Sequence, residues 1–231
     1  MVNEIKFHEF EKTQDLDIAL SDTIAQQLQD AINRKGFASL IVSGGRTPLS
    51  LFECLSLKDI EWDKVWVSLA DERWVEPSHS DSNSTLVLQH LRQNKAKGLQ
   101  FFEFYQKGEQ QEVLANLEQR IPQKKIPFDA VILGMGLDGH TASWFPCSDD
   151  LENVLSSSNC LEWVQPKSAP HLRMTFTPKA LLNSKQIYLH LVGDKKREVY
   201  ECALKSDRNM EMPIRVALHQ NVVPVDVYWS V

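Results

Sequence analysis

Residues 36–48 read GFASLIVSGGRTP and join three patterns: an apolar run, a glycine pair and a helix start. The run from Phe37 to Val42 is typical of a strand buried on both faces of a sheet. Gly44 and Gly45 permit a tight turn or the close approach of a ligand. Thr47-Pro48 indicates a helix start, with Thr as N-cap and Pro at the first helical position. The stretch therefore predicts a strand-turn-helix unit.

The same alternation of strand and helix continues on both sides of this unit. Before it, apolar residues recur every four positions from Gln14 to Arg34, which predicts one amphipathic helix. Further buried strands are predicted at 65–70, 128–133, 187–192 and 223–229, and further helices at 84–93, 109–121, 194–204 and 213–219. This alternation predicts an α/β fold, a single doubly wound, mostly parallel, Rossmann-like sheet with helices on both faces. We expect residues 1–231 to form one domain.

Composition excludes several classes of protein. The chain has 231 residues with 25 Lys+Arg and 31 Asp+Glu, a net charge of −6, whereas nucleic-acid and membrane-surface binders need a basic excess. The sequence lacks an apolar run of about 18 residues. The charged opening, residues 1–12, lacks the apolar segment of a signal peptide. We therefore expect a cytoplasmic protein that binds neither nucleic acid nor a membrane, and the sequence leaves its oligomeric state open.

The cysteines and histidines do not follow a metal-binding pattern. Cys54, Cys147, Cys160 and Cys202 are too far apart for a metal knuckle and too few for a disulfide scaffold. The chain also lacks a His-Glu-x-x-His motif. The sequence therefore predicts reduced, mostly buried thiols and no metal site.

Four predicted strands end in polar or glycine-rich segments, which form the candidate ligand site. The segments are Ser43-Gly44-Gly45-Arg46-Thr47-Pro48, Asp71-Glu72-Arg73-Trp74, residues 134–141 (GMGLDGHT) and Gly193-Asp194-Lys195-Lys196. In a doubly wound sheet ligands bind outside the carboxyl ends of the strands, so the four segments are expected to face one crevice.

Two of these segments favour an anion. Free amides of Ser43, Gly44 and Gly45 at a helix start would bind phosphate, and Arg46 would add charge if it turns inward. The alternative is a simple strand-to-helix turn. Lys196 opposes the dipole of the helix that it begins, which is unfavourable unless an anion lies nearby.

Two arginines are further candidate cations. Arg73 offers a guanidinium fork suited to phosphate, and Asp71 or Glu72 would hold it in place. The alternative is a solvated strand end with a weak local ion pair. Arg173 is the other candidate, for which a structural salt bridge is the alternative.

Residues 134–139 match the Gly-x-Gly-x-x-Gly pattern of dinucleotide-binding proteins. Pro146 interrupts the helix that should follow, and Ser157-Ser158-Asn159 stand where an acidic residue should lie. We therefore reject a nicotinamide cofactor. The segment offers instead Asp138 and His140 in an exposed turn, where an imidazole can exchange a proton near neutral pH.

Together, these segments resemble the 6-phosphogluconolactonases of the pentose phosphate pathway. The matching residues, in family order, are Ser43-Gly44-Gly45 with Thr47-Pro48, 71–75 with Asp81-Ser82-Asn83, 133–136 with 138–143 and Phe145-Pro146, Arg173-Met174-Thr175, and Gly193 with Lys196. Five ordered motifs are far more specific than one.

The resemblance implies hydrolysis of 6-phospho-D-glucono-1,5-lactone to 6-phosphogluconate without a metal or organic cofactor. It implies that His140 is the base and that Arg73 and Lys196 bind the phosphate. Asp138 would orient His140 or stabilise its charged form. The chain departs from the family pattern at Arg46, where Ser is usual, and at Trp144, where Leu is usual. Neither departure replaces a proposed catalytic group.

Two other functions remain as alternatives. Glucosamine-6-phosphate deaminases look similar in the glycine loop and the Asp-Gly-His segment, but Phe145 stands where their glutamate would be, and Asp-Glu-Arg replaces their Asp-Glu-Tyr. A sugar-phosphate sensor without catalysis is the second alternative. A sensor normally carries an output element, and no helix-turn-helix or basic region precedes residue 36.

Overall fold

The computed structural model describes residues 5–231, and the first four residues of the charged opening lie outside the described residues. The strands are β1 (Lys6–Phe10), β2 (Ala38–Val42), β3 (Val65–Leu69), β4 (Asp71–Arg73), β5 (Gln100–Phe102), β6 (Ala130–Leu133), β7 (Leu161–Val164), β8 (Arg173–Phe176), β9 (Ile187–Val192) and β10 (Val225–Ser230). The α-helices are α1 (Thr13–Lys35), α2 (Leu49–Ser56), α3 (Asn83–Leu86), α4 (Gln110–Arg120), α5 (Leu151–Ser156), α6 (Pro178–Leu181), α7 (Asp194–Ala203) and α8 (Arg215–Leu218).

Seven strands form the main sheet in the order β1-β10-β9-β6-β2-β3-β5, and every neighbouring pair is parallel. The five strands predicted from apolar runs, β2, β3, β6, β9 and β10, start and end within two residues of their predicted bounds. Their residues are almost all buried, as expected of a sheet covered on both faces. The predicted fold class is confirmed.

The strand order changes direction between β2 and β6. The chain leads from β2 through α2 to β3 on one side, whereas from β6 it leads to β9 on the other. Two neighbouring strands whose connections diverge leave a crevice outside their carboxyl ends. The segments that begin at Ser43 and Gly134 follow these two strands, so the topology brings them to one crevice.

Helix α1 covers one face of the sheet. Leu16, Leu20, Ile24 and Leu28 form its fully buried stripe, and the helix contacts β1, β2, β6 and β10. It ends at Gly36, whose φ of +81° is the left-handed conformation that glycine adopts most easily. Right-handed crossovers place α1 and α2 on this face and α4 and α7 on the other.

A second, three-stranded antiparallel sheet, in the order β4-β8-β7, was not predicted from the sequence. Residues 71–74 were expected to form a loop, and this expectation was wrong because Asp71–Arg73 form β4. The partner strand β8 begins about a hundred residues later in the chain, at Arg173, so no local pattern reveals the pairing. In the register of this pair Arg73 lies opposite Arg173.

The remaining helix predictions hold in part. The helix expected at 84–93 is an α-helix only over Asn83–Leu86 and continues as a π-helical turn over Val87–Leu91. The helix expected at 213–219 is α8, a single turn. Among residues 5–231 we find no helix that is both long enough and apolar enough to cross a membrane.

Candidate active site

A cleft of about 320 Å³ lies at the carboxyl ends of β2, β6 and β9. The residues predicted for the site that line it are Ser43, Gly44, Gly45, Thr47, Asp71, Arg73, His140, Arg173 and Lys196. Each of the four predicted segments contributes to the cleft. The structure therefore brings together segments that are more than 150 residues apart in the sequence.

Two predicted site residues, Asp138 and Arg46, do not line the cleft. Asp138 is hydrogen-bonded to His140, which lines the cleft. Arg46 is exposed and follows the turn at Gly45, which has φ of +96°. The structure thus gives no contact between Arg46 and the other candidate cations.

His140 and Asp138 form a hydrogen-bonded pair at the cleft. The distance from His140 Nδ1 to Asp138 Oδ1 is 2.6 Å, and the backbone N–H of His140 donates to the same oxygen at 3.1 Å. The imidazole stacks on Phe145 with 4.3 Å between ring centroids. A carboxylate on Nδ1 favours the tautomer that carries its proton there, which leaves the lone pair of Nε2 free to accept another.

The charge of Asp138 is maintained by its partner. Burial acts to raise the pKa of Asp138, but the hydrogen bond and the charge of His140 outweigh burial and hold the pKa below its usual range. The carboxylate is therefore ionised at neutral pH and can stabilise a protonated His140.

The glycines of residues 134–139 make room for this pair. A Cβ at Gly136 would lie 2.1 Å from His140 Nδ1 and 2.5 Å from Asp138 Oδ1. Gly139 has φ of +76°, and a Cβ there would lie 2.8 Å from Met212 Cβ. The glycine pattern that resembles a dinucleotide fingerprint thus packs an Asp–His pair.

The glycine turn after β2 is fixed in a similar way. A Cβ at Gly44 would lie 1.9 Å from Asn83 Oδ1, a buried oxygen without a hydrogen-bond partner. Ser43 Oγ donates to Ile132 O at 3.0 Å, which joins β2 to β6 at the crevice. The expectation that Thr47 caps the next helix was wrong, because α2 begins at Leu49 and has no side-chain cap. Thr47 lines the cleft instead.

Arg73 and Arg173 face each other across β4 and β8, a pairing of like charges that costs stability. Arg73 Nη1 donates to Asp81 O at 2.7 Å, and Arg173 Nη2 donates to Pro170 O at 3.0 Å. The Nε atoms of both guanidinium groups are buried without a partner. Within residues 5–231 neither arginine forms a salt bridge, so the alternative of a structural ion pair for Arg173 is not found.

The electrostatics of this arginine pair favour an anion. Burial lowers the pKa of Arg173, Asp71 acts to raise it and Arg73 to lower it. A buried and a half-buried guanidinium group with free donors in one cleft are typical of a site that binds a phosphate or a carboxylate.

The acids beside Arg73 do not hold its guanidinium, contrary to expectation. Asp71 Oδ2 accepts a hydrogen bond from Ser143 Oγ at 2.6 Å. Glu72 accepts from the backbone N–H groups of Asn83 at 2.7 Å and of Ser84 at 2.8 Å, and so satisfies the first turn of α3. Burial raises the pKa of Glu72, although these hydrogen bonds act to lower it. The Asp71 side chain is therefore bonded to the segment that follows His140, and the Glu72 side chain to the start of α3.

Lys196 supplies a third cation, from the first turn of α7. Its Nζ donates to Met135 O, beside the loop that carries His140. Burial lowers the pKa of this lysine, and the charge of Asp138 acts in the opposite direction. The ammonium group thus lies near the catalytic candidates, on the segment that starts α7.

One polar residue of the cleft, His190, was missed by the sequence analysis. It lies in the apolar strand β9 and is almost fully buried. Its Nε2 is 3.1 Å from Oδ1 of Asp17, a fully buried acid of α1, and its Nδ1 has no partner. The only signal in the sequence was a histidine within the apolar run 187–192.

Trp144, where the chain departs from the family pattern, lies in a segment that is hydrogen-bonded to the second sheet. Trp144 is fully buried, does not line the cleft and donates from Nε1 to Phe176 O at 2.9 Å. The neighbouring Ser143 donates from its backbone N–H to Thr175 Oγ1 at 3.2 Å. Trp144 therefore belongs to the core and is not part of the cleft wall.

Comparisons with known proteins show which proteins this chain is similar to. The sequence model of the family described as glucosamine-6-phosphate isomerases/6-phosphogluconolactonase matches residues 11–229. A 6-phosphogluconolactonase of Pseudomonas putida is 39% identical over 228 residues, which cover 97% of this chain and 93% of that protein. One from Rhizobium meliloti is 38% identical, with 96% and 97% covered. The crystal structure of a 6-phosphogluconolactonase from Shewanella baltica is 47% identical with a TM-score of 0.94, covering 100% of both chains.

Proposed function

Because the chain belongs to the glucosamine-6-phosphate isomerase/6-phosphogluconolactonase family, we propose that it hydrolyses 6-phospho-D-glucono-1,5-lactone to 6-phosphogluconate in the pentose phosphate pathway. The chain is an enzyme of this family, a hydrolase of sugar-phosphate metabolism. The observation that carries the proposal is the Asp138–His140 pair, which faces a cleft that also holds desolvated cations. We also propose that the reaction takes place in the cytoplasm.

In the proposed reaction His140 acts as general base. Its Nε2 takes a proton from a water molecule as the water oxygen bonds to C1 of the lactone. The tetrahedral oxyanion then reforms the carbonyl, the bond from C1 to the ring oxygen breaks, and His140 returns the proton to that oxygen. Asp138 stabilises the transient imidazolium through Nδ1. General-base catalysis contributes about 10²–10⁴-fold, which suits a reactive ester.

The phosphate of the substrate holds the lactone against His140 in this proposal. Arg73 and Lys196 bind the phosphate. Arg173 lies opposite Arg73, and its Nε has no hydrogen-bond partner. Backbone amides of Ser43, Gly44 and Gly45 add neutral donors. Binding energy from this remote group is used to orient the reacting carbon. Local cations are needed because the net charge of the chain is −6.

The test is ring opening of freshly generated 6-phosphogluconolactone by the purified protein, against a protein-free blank because this lactone also opens spontaneously. We expect a rate clearly above the blank and no release of ammonia from glucosamine 6-phosphate. Ammonia release would favour the deaminase alternative. Binding of 6-phosphogluconate without turnover of either compound would favour the sensor.

Lys196 gives the proposal a pH signature. Since burial lowers its pKa, this lysine loses its charge at a lower pH than an exposed lysine. We expect affinity for the product 6-phosphogluconate, measured by calorimetry between about pH 8 and pH 11, to fall as Lys196 becomes neutral. In Lys196→Arg the guanidinium stays charged, so the fall should move to higher pH. Coincident pH profiles of the two proteins would exclude Lys196 from the anion site.

A further inference from the structure

A second group of polar side chains, His79, Asp81 and His171, lies beside the arginine pair. We call it the histidine–aspartate cluster. His79 and Asp81 precede α3, and His171 precedes β8, about ninety residues later in the chain. One potential ligand atom from each residue lies within 4.8 Å of the other two. The sequence expectation of no metal site rested on local spacing, which does not detect a cluster closed by the tertiary fold.

The distances within the cluster suit a small cation. His171 Nε2 lies 3.0 Å from Asp81 Oδ2, and His79 Nδ1 lies 3.9 Å from the same oxygen. Ligand atoms bound at about 2.0 Å around a tetrahedral zinc ion lie about 3.3 Å apart. Side-chain rotation would bring the three atoms around one ion, and the hydrogen bond of 3.1 Å that His79 Nδ1 accepts from the backbone N–H of Asp81 would be exchanged for the ion.

The backbone supports the same conclusion. His171 has φ of +71°, the left-handed region that a non-glycine residue rarely adopts. Backbone strain of this kind is found at ligand clamps. The two imidazole rings pack edge to face with 5.4 Å between centroids, and both remain accessible to solvent. An ion can therefore reach the cluster.

We propose that His79, Asp81 and His171 bind one divalent zinc ion. Two imidazole nitrogens and one carboxylate oxygen are typical zinc ligands, and three protein ligands leave a fourth position for water. The site is distinct from the Asp138–His140 pair, and the proposal does not depend on lactone hydrolysis. It is coupled to the cleft, because the backbone oxygen of Asp81 accepts the hydrogen bond from Arg73 Nη1 at 2.7 Å.

The test is calorimetric titration of the whole protein with zinc chloride in a buffer that does not chelate metals. We expect one strong site in the wild type. His171→Asn and Asp81→Asn should each weaken binding by at least about tenfold, since loss of even an outer partner of a metal site has an effect of this size. Thermal melting checks that each variant is folded.

Two variants serve as controls. His90→Asn alters another exposed histidine–carboxylate pair, in which Nδ1 lies 2.9 Å from Glu53 Oε1 but which lacks a third ligand in the described part of the chain. His140→Asn removes the histidine of the Asp138–His140 pair at the cleft. Both variants should keep the zinc affinity of the wild type. Equal losses in His90→Asn and His171→Asn would overturn the proposal.

A measurement on the wild type does not depend on any variant. Co²⁺ bound by nitrogen and oxygen ligands in place of zinc should give visible absorption bands of a four-coordinate site, and added zinc should abolish them. Absence of both the bands and a zinc binding isotherm would overturn the proposal.

Discussion

Replacing His140 by asparagine is expected to lower kcat for lactone ring opening by about 10²–10⁴-fold, the usual contribution of a general base. An asparagine amide can still donate to Asp138, so the loop keeps its hydrogen bond but loses the lone pair of Nε2. KM should change little, because the cations that bind the phosphate are untouched. The measurement is the initial rate after subtraction of the protein-free blank, for both proteins at the same pH.

Two further variants serve as a control and as a second test of the Asp138–His140 pair. His90→Asn removes an exposed histidine outside the cleft and should keep the wild-type rate. Asp138→Asn keeps the size of the side chain but removes the charge that supports a protonated imidazole, so kcat should fall here too. If His140→Asn keeps more than about a tenth of the wild-type kcat, His140 is not the general base.

Replacing Arg73 by glutamine is expected to act on binding. Loss of one partner of a buried, hydrogen-bonded charge pair costs about 2–5 kcal/mol, so KM for the phosphorylated lactone should rise by about 30-fold or more. The effect should vanish with 1,5-gluconolactone, which lacks the phosphate. Steady-state kinetics on both lactones measure the difference.

The same variant should bind the substrate less tightly without becoming less stable. Arg73 faces Arg173 in the register of β4 and β8, and removing one of two like charges relieves their repulsion. We therefore expect the melting temperature of Arg73→Gln to be retained or raised while KM rises. Arg46→Gln is the matched control, since Arg46 is exposed and lies outside the cleft, and its KM should stay close to that of the wild type. Equal KM values for Arg73→Gln and wild type would refute the assignment.

The main sheet was predictable because its strands carry a strong local signal. Each of the five predicted strands is an apolar run flanked by glycine or polar residues, and burial on both faces requires such a run. The edge strand β1 was missed, because its residues, KFHEF, are exposed or half-buried and need no apolar run. The strand β5 has only three residues. The second sheet was missed because the pairing of β4 with β8 is purely tertiary.

The same distinction applies to the site. Nine of the residues that line the cleft were predicted, most of them from glycine-rich and charged segments at strand ends, because a parallel sheet brings its carboxyl ends to one edge. Contacts between distant segments have no local sequence signal. Examples are the packing of Asn83 against Gly44 and the hydrogen bond from Ser143 to Asp71. His190 lies in a buried strand, and its partner Asp17 lies in α1, far away in the sequence, so no local pattern indicated the pair.

The hydrogen bonds that connect Ser143 and Trp144 to the antiparallel sheet have a consequence for the length of the substrate. The proposed base lies on the loop that follows β6 of the main sheet, whereas Arg73 and Arg173 belong to the antiparallel sheet. Hydrogen bonds of Ser143 and Trp144 connect the loop after β6 to the antiparallel sheet. They therefore help to fix the distance between the base and the anion site. On the proposed function, we expect a phosphorylated lactone whose carbonyl-to-phosphate distance matches the distance between the base and the anion site to be hydrolysed. We expect a shorter homologue to bind through its phosphate without reaction.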